Sequence, residues 1–180
     1  PRVLERVGDR TVMITASCLL TVALVVMALL TVAPGVDHWV SLLILWAIIG
    51  VGYSAVLTPS GRLLRRSATP EDRSALFAAQ FALSHACWLL TYTVAGSLGA
   101  AYGMAPTFVA LAGLSLVGVV VALKVWPAAD PDELAHVHSI LPPQHPHLRE
   151  GAGKPVCIRA AHVHPFVIDD LHHHWPKAGM

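Results

Sequence analysis

The sequence predicts an all-α, polytopic membrane protein, with four transmembrane helices in a bundle followed by a mostly irregular tail. Its 180 residues are 55% apolar and only 13% charged, whereas a soluble domain carries about 25% charge. The apolar residues fall into four long runs, and nine of the eleven histidines follow residue 130. We therefore expect a short loop (residues 1–11), a membrane block (residues 12–126) and a histidine-rich tail (residues 127–180).

The first two predicted spans cover residues 12–32 and 39–58, and neither contains a charged residue. About 20 helical residues cross a hydrocarbon core that is ~30 Å thick, so each run is long enough. Pro34 and Pro59 follow the two runs, each with a glycine close behind it. Proline and glycine together predict that the helices end at these points.

The third and fourth predicted spans cover residues 74–98 and 106–126, and the only charge within them is Lys124. Residues 69–72 (Thr-Pro-Glu-Asp) precede the third span. They predict an N-cap, a proline at the first helical position and acids in the first turn. Four successive helices that are apolar on all sides exclude an ordinary soluble bundle.

Arginines occupy alternate links between the spans. Three precede the first span and four lie between the second and third, whereas residues 33–38 and 99–105 contain no Lys or Arg. Because short cytoplasmic loops concentrate Lys and Arg, we expect both termini in the cytoplasm and the spans in the cell (inner) membrane. A net charge of +1 leaves no broad basic surface, so no nucleic-acid partner is expected.

One face of the third span carries polar and aromatic side chains at three- and four-residue steps. They are Gln80, Ser84, His85, Trp88, Thr91 and Tyr92. Such groups are costly in lipid unless they face a cavity or another helix. They are therefore a candidate substrate path, and helix–helix packing is the alternative. On the second span, Gly50 and Ser54 have the four-residue spacing that predicts close helix contact.

The segment before the first span reads Glu-Arg-Val-Gly-Asp-Arg. It resembles the cytoplasmic D-R-x-G-R-R signature of the major facilitator superfamily (MFS). Glu5 takes the acidic position, Arg6, Gly8 and Arg10 match, and Asp9 departs from the pattern by replacing a basic residue. The resemblance implies a gating motif whose charges favour one access state.

The link between the second and third spans also resembles that family, in its link between the tenth and eleventh spans. Its charged residues are Arg62, Arg65, Arg66, Glu71, Asp72 and Arg73. The resemblance covers residues 1 to about 126 and implies the ninth to twelfth spans of an MFS-type bundle. The lipid bilayer and the remaining spans, missing from this chain, are then the expected partners. No cofactor is required.

The histidines of the tail occur in short groups that are typical of metal-binding tracts. They are His136, His138, His145, His147, His162, His164, His172, His173 and His174. Imidazole binds Zn and Ni well, so bound Ni, Co or Zn in the tail is predicted. A solvated tail with no specific role is the alternative. The apolar run at residues 165–168 is expected to dock on a partner or on the membrane block.

The resemblance to the superfamily implies a proton-coupled exporter that works by alternating access. Its tail resembles those of nickel- and cobalt-resistance exporters within the superfamily, which implies a divalent metal as the small solute. Drug or metabolite efflux by the same mechanism is one alternative, and a membrane-anchored metal-binding protein without transport is another. No Gly-rich phosphate loop, HExxH or GxSxG motif occurs, so an enzyme is not expected.

Overall fold

The computed structural model describes residues 7–33, 39–128, 133–137, 161–172 and 175. Their helices are α1 (Asp9–Val32), α2 (Trp39–Arg66), α3 (Arg73–Tyr102) and α4 (Met104–Val125). Two short strands follow, β1 (Glu133–Val137) and β2 (Ala161–Pro165). All four helices are long and apolar enough to cross a membrane. The predicted all-α, multi-pass fold of the membrane block is confirmed.

Helix α2 continues past Pro59 to Arg66, so the predicted end at this proline is wrong. Pro59 is fully buried within the helix. A proline removes one backbone hydrogen bond, but neighbouring hydroxyls can satisfy backbone carbonyls inside a membrane helix. Hydroxyls on both sides of Pro59 donate to other carbonyls of this stretch, Thr58 Oγ1 to that of Ser54 at 2.7 Å and Ser60 Oγ to that of Leu57 at 2.6 Å. The charged residues that follow Pro59 therefore extend the helix and do not form a loop.

Helix α3 begins at Arg73, one turn later than the capping pattern predicts. Residues 69–72 form a turn in which the Thr69 carbonyl accepts the N–H groups of Asp72 (3.2 Å) and Arg73 (3.1 Å). Asp72 occupies the N-cap position without a side-chain cap. Proline is also favoured at the second position of a β-turn, and Pro70 takes that position here.

Helices α3 and α4 are joined by the single residue Gly103, whose φ is +84°. Residues other than glycine rarely adopt this backbone conformation. The Gly103 N–H donates to the Gly99 carbonyl at 3.1 Å, and the Thr107 hydroxyl donates to the Gly103 carbonyl at 2.8 Å. Most of the predicted link at residues 99–105 is consequently helical.

Helix α1 lies between α2 and α4 and packs extensively on both, whereas α3 packs on α4 and scarcely touches α2. The buried core cluster consists of Ala23, Met27 and Leu45. A hydrogen bond of 2.8 Å joins the Thr21 and Ser115 hydroxyls across α1 and α4. This arrangement leaves α3 as the most peripheral helix of the described bundle.

Helices α1 and α2 are in close contact at Gly52, which is buried. A Cβ atom added there would lie 2.9 Å from Leu20 Cδ2. Gly50 has nothing within 4 Å of its Cβ position in the described part of the chain, and Ser54 is exposed. Among the described helices, the close contact of α2 is therefore at Gly52 and not at the predicted Gly50 and Ser54.

The tail contains an antiparallel pair of strands that the sequence analysis did not predict. In the β1–β2 register, His136 lies opposite His162 and Leu134 lies opposite His164. The ladder joins two segments that are separated by 23 residues of chain, between Val137 and Ala161. It therefore gives part of the tail a defined backbone arrangement.

Candidate functional site

At the basic end of the bundle, α1 begins and α2 and α4 end. A buried carboxylate, that of Asp9, links α1 to α2 there. Asp9 lies in the first turn of α1 and its side chain is 2% exposed. Arg62 donates to it through two nitrogens, Nε to Oδ2 at 3.0 Å and Nη2 to Oδ1. This fork geometry gives a strong, directional ion pair. The start of α1 also favours a negative charge.

The neighbours of Asp9 extend this contact to α4. The Arg10 Nε donates to the Trp126 carbonyl at 3.1 Å, and Gly8 precedes the helix with φ +76°. The motif thus ties the start of α1 to the ends of both α2 and α4. Glu5 and Arg6 lie outside the described residues. Asp9, the departure from the family signature, is the residue that makes the ion pair.

Two other charged residues of the α2–α3 link, Arg65 and Asp72, form hydrogen bonds with residues close to them in the sequence. Arg65 Nε donates to a carbonyl of its own helix at 3.3 Å, and the Thr69 hydroxyl donates to Asp72 Oδ2 at 3.2 Å. Glu71 is exposed. The Arg73 Nε atom is buried without a hydrogen-bond partner among the described residues. Of this predicted set, Arg62 makes the contact with the motif.

The candidate substrate path lies on a helix that has no buried residue in the described structure. Its aromatic rings form a ladder along α3. The ring centroids are 4.0 Å apart for Phe81 and His85, 5.1 Å for His85 and Trp88, and 6.4 Å for Trp88 and Tyr92. Phe81, which is 65% exposed, was missed by the sequence analysis. Its position four residues before His85 is the signal that could have identified it.

The polar groups on this face of α3 bond mainly within the helix. His85 Nδ1 lies 2.8 Å from the Phe81 carbonyl; because a carbonyl only accepts, Nδ1 carries the hydrogen. The Gln80 amide donates to the Ser84 hydroxyl at 3.4 Å, and Thr91 donates to carbonyls one turn earlier. When the imidazole is neutral, its Nε2 is therefore an acceptor.

A short segment of the tail, residues 166–172 with Trp175, forms a compact structure that we call the tail turn. The Asp169 carboxylate accepts the His172 Nδ1–H at 2.8 Å and the N–H groups of Leu171 and His172 at 2.9 Å each. Burial raises the pKa of Asp169, but the hydrogen bonds and the His172 charge outweigh it and hold this pKa below its usual value.

The tail turn docks on the end of α2. The Ile168 N–H donates to the Arg66 carbonyl at 3.1 Å, and the Arg66 guanidinium carbon lies 5.4 Å from the centre of the Trp175 ring. Phe166 is 3% exposed, with its ring centroid 4.9 Å from that of His172 and 4.8 Å from that of Trp175. The apolar run therefore contacts the membrane block, one of the two docking surfaces expected for it, through the Ile168 backbone.

Most of the predicted metal-binding histidines lie outside the part that the structure describes in full. For His136, His162 and His164 it describes the backbone alone, and His172 is the member with a described side chain. His138, His145, His147, His173 and His174 lie outside the described residues. Within the described residues, no three His, Cys, Asp or Glu side chains form a group that could hold a metal ion.

Comparison with known proteins supports one family. The family model described as Major Facilitator Superfamily matches residues 2–166, which includes all four helices and continues past residue 126 into the tail. No curated protein and no solved structure matches the chain. The matched region covers most of the sequence, and it includes four helices that are long and apolar enough to cross a membrane. The chain therefore belongs to the Major Facilitator Superfamily, a family of membrane transporters.

Proposed function

We propose that this chain is the C-terminal part of a proton-coupled exporter that works by alternating access. The observation that carries the proposal is the Asp9–Arg62 ion pair together with the Arg10–Trp126 hydrogen bond. These contacts join three helix ends, and charges at helix ends can pair in one arrangement and separate in another. A transporter that rocks around a central site needs such alternatives.

The proposed orientation places the basic end in the cytoplasm of a cell bounded by an inner membrane. Arg62, Arg65, Arg66 and Arg73 all lie at or near this end, whereas α3 and α4 meet at Gly103 without a basic residue nearby. An excess of Lys and Arg marks cytoplasmic loops. The tail would then reach into the cytoplasm from the end of α4.

The proposed substrate path is the exposed face of α3 that carries His85. Polar groups at membrane depth are stable when they face another helix or an aqueous cavity. The remaining spans of the transporter would supply the opposite wall. His85 Nε2 could then accept a proton or a polar group of the solute, since Nδ1 is engaged by the Phe81 carbonyl.

Replacing His85 with alanine is expected to reduce transport about tenfold, equivalent to about 1.4 kcal/mol in barrier height. The full transporter in proteoliposomes would be assayed for Ni²⁺ flux and accompanying proton movement. Thr93→Ala is the matched control, because its hydroxyl bonds within α3 to the Leu89 carbonyl at 2.7 Å and lies off the His85 face. Equal transport by the two variants would contradict the proposed path.

A divalent metal such as nickel or cobalt is the proposed solute and tail ligand. The supporting observation is the group of nine histidines after residue 130, because histidine-rich tracts commonly bind metal. The β1–β2 register adds support, since it places the backbone of His136 opposite that of His162.

Truncation after Pro127 is expected to abolish stoichiometric Ni²⁺, Co²⁺ or Zn²⁺ binding, as measured by equilibrium dialysis of the protein in detergent. Substitution of His85 alone should leave this binding unchanged, since His85 lies on α3. Equal binding with and without the tail would reject the metal tract. Transport of an organic cation but not of metal would favour drug efflux, and no flux of either would favour a non-transporting metal-binding protein.

A further inference from the structure

His172 belongs to the docked tail turn and also opens the sequence His172-His173-His174 of the predicted metal tract. In the tail turn it is 5% exposed, with Nδ1 on Asp169 and its ring beside Phe166. A ligated metal needs a nitrogen at about 2.0–2.1 Å and several further ligands around it. Within the described residues, no group of three His, Cys, Asp or Glu side chains is present to complete that shell, so we infer that coordination requires the ring to leave its packed position.

The docked position is stabilised by contacts that a displaced tail turn would lose. Carbonyls in the last turn of a helix lack intrahelical partners, and the Ile168 N–H satisfies that of Arg66. Trp175 also joins Leu63, Arg66, Ser67 and Trp126 around one cavity. The tail turn therefore contacts α2 one helical turn beyond Arg62, and its cavity reaches the end of α4.

We propose that docking of the tail turn and capture of a divalent metal by His172 exclude one another, so that metal releases the tail from the basic end. This inference rests on the proposed metal binding by the tail. Only the undocked tail can bind metal through His172, so docking lowers the apparent metal affinity by reducing the population of that state. Linkage requires that metal weaken docking by the same factor. Metal binding to the tail would thereby remove the contacts of the tail turn with Arg66, where the α2–α3 link begins.

The test uses the full chain in lipid nanodiscs with Ni²⁺ as the probe. Hydrogen exchange of the Ile168 amide reports docking, and isothermal titration reports affinity. In the unmodified chain, Ni²⁺ should accelerate Ile168 exchange. Phe166→Ala should undock the turn without metal and bind Ni²⁺ about fivefold or more tightly. Leu171→Ala is the matched control, because Leu171 lies on the same turn and is 38% exposed; it should change neither quantity.

Trp175→Ala provides a second variant if Phe166→Ala does not fold, since it removes the ring beside Arg66 and leaves Phe166 in place. Ni²⁺ binding with unchanged Ile168 exchange, and with equal affinity in the undocked variants, would overturn the inference alone. Failure of both the unmodified and the undocked chain to bind Ni²⁺ would overturn the inference and the proposed metal binding together.

Discussion

Arg62→Ala is expected to lower the free energy of unfolding by about 2 kcal/mol. Breaking a fully buried ion pair costs about 3–5 kcal/mol, and this estimate is reduced because the Arg62 side chain is 42% exposed. The cost arises because the Asp9 carboxylate stays buried after its donors are removed. Denaturant titration of the protein in detergent micelles would measure the change.

Arg65→Ala is the matched control for this substitution. Arg65 lies on the same stretch of α2 and bonds only within its own helix among the described residues, so its removal should change stability by less than about 0.5 kcal/mol. The double variant Asp9→Asn, Arg62→Ala should recover part of the loss, because it no longer contains an unpaired buried charge. Equal stabilities of the two single-arginine variants would show that the ion pair contributes nothing.

Gly52→Val is expected to destabilise the bundle by about 1–3 kcal/mol, the usual cost of overpacking a close contact. Its Cβ would lie 2.9 Å from Leu20 Cδ2 and 3.1 Å from Leu20 Cγ, so α1 and α2 must separate or Leu20 must change rotamer. Gly52→Ala should cost less, because Leu20 can move away from one methyl group. Thermal unfolding in nanodiscs would measure the differences.

Gly50→Val is the matched control for the glycine series. Gly50 lies two residues earlier on α2 and has open space around its Cβ position in the described structure, so valine should be tolerated there. A comparable loss of stability at both positions would point to intrinsic helix flexibility, not to the contact with α1, as the reason for glycine in α2.

The sequence was sufficient to predict the membrane helices because hydrophobic length is a local property. Local signals failed where neighbouring groups decide the outcome. Pro59 was expected to end α2 but lies buried within it, and Gly50 was expected at the contact that Gly52 makes. The contact at Gly52 depends on which face of α2 meets α1, which a single sequence does not specify.

In the candidate site, too, local sequence signals identified residues but not the contacts between them. Arg62 and Asp9 were both identified from local motifs, but their pairing joins residues that are 53 positions apart. Asp9 stood out as a departure from the family signature, and only the packing of α1 against α2 explains why an acid is suited to that position. The tail turn was anticipated by its apolar run, whereas its partner Arg66 was not, because the contact is made by a backbone carbonyl.

The single residue between α3 and α4 has a mechanical consequence. A link this short contains no slack, so an axial displacement of one helix must be transmitted to the other within a single peptide unit. Helix α3 carries the candidate path and α4 is anchored through Trp126 to the motif at the start of α1. A shift of α3 along its axis is therefore expected to displace α4 as well, and α4 in turn contacts the motif through the Arg10–Trp126 hydrogen bond at its other end.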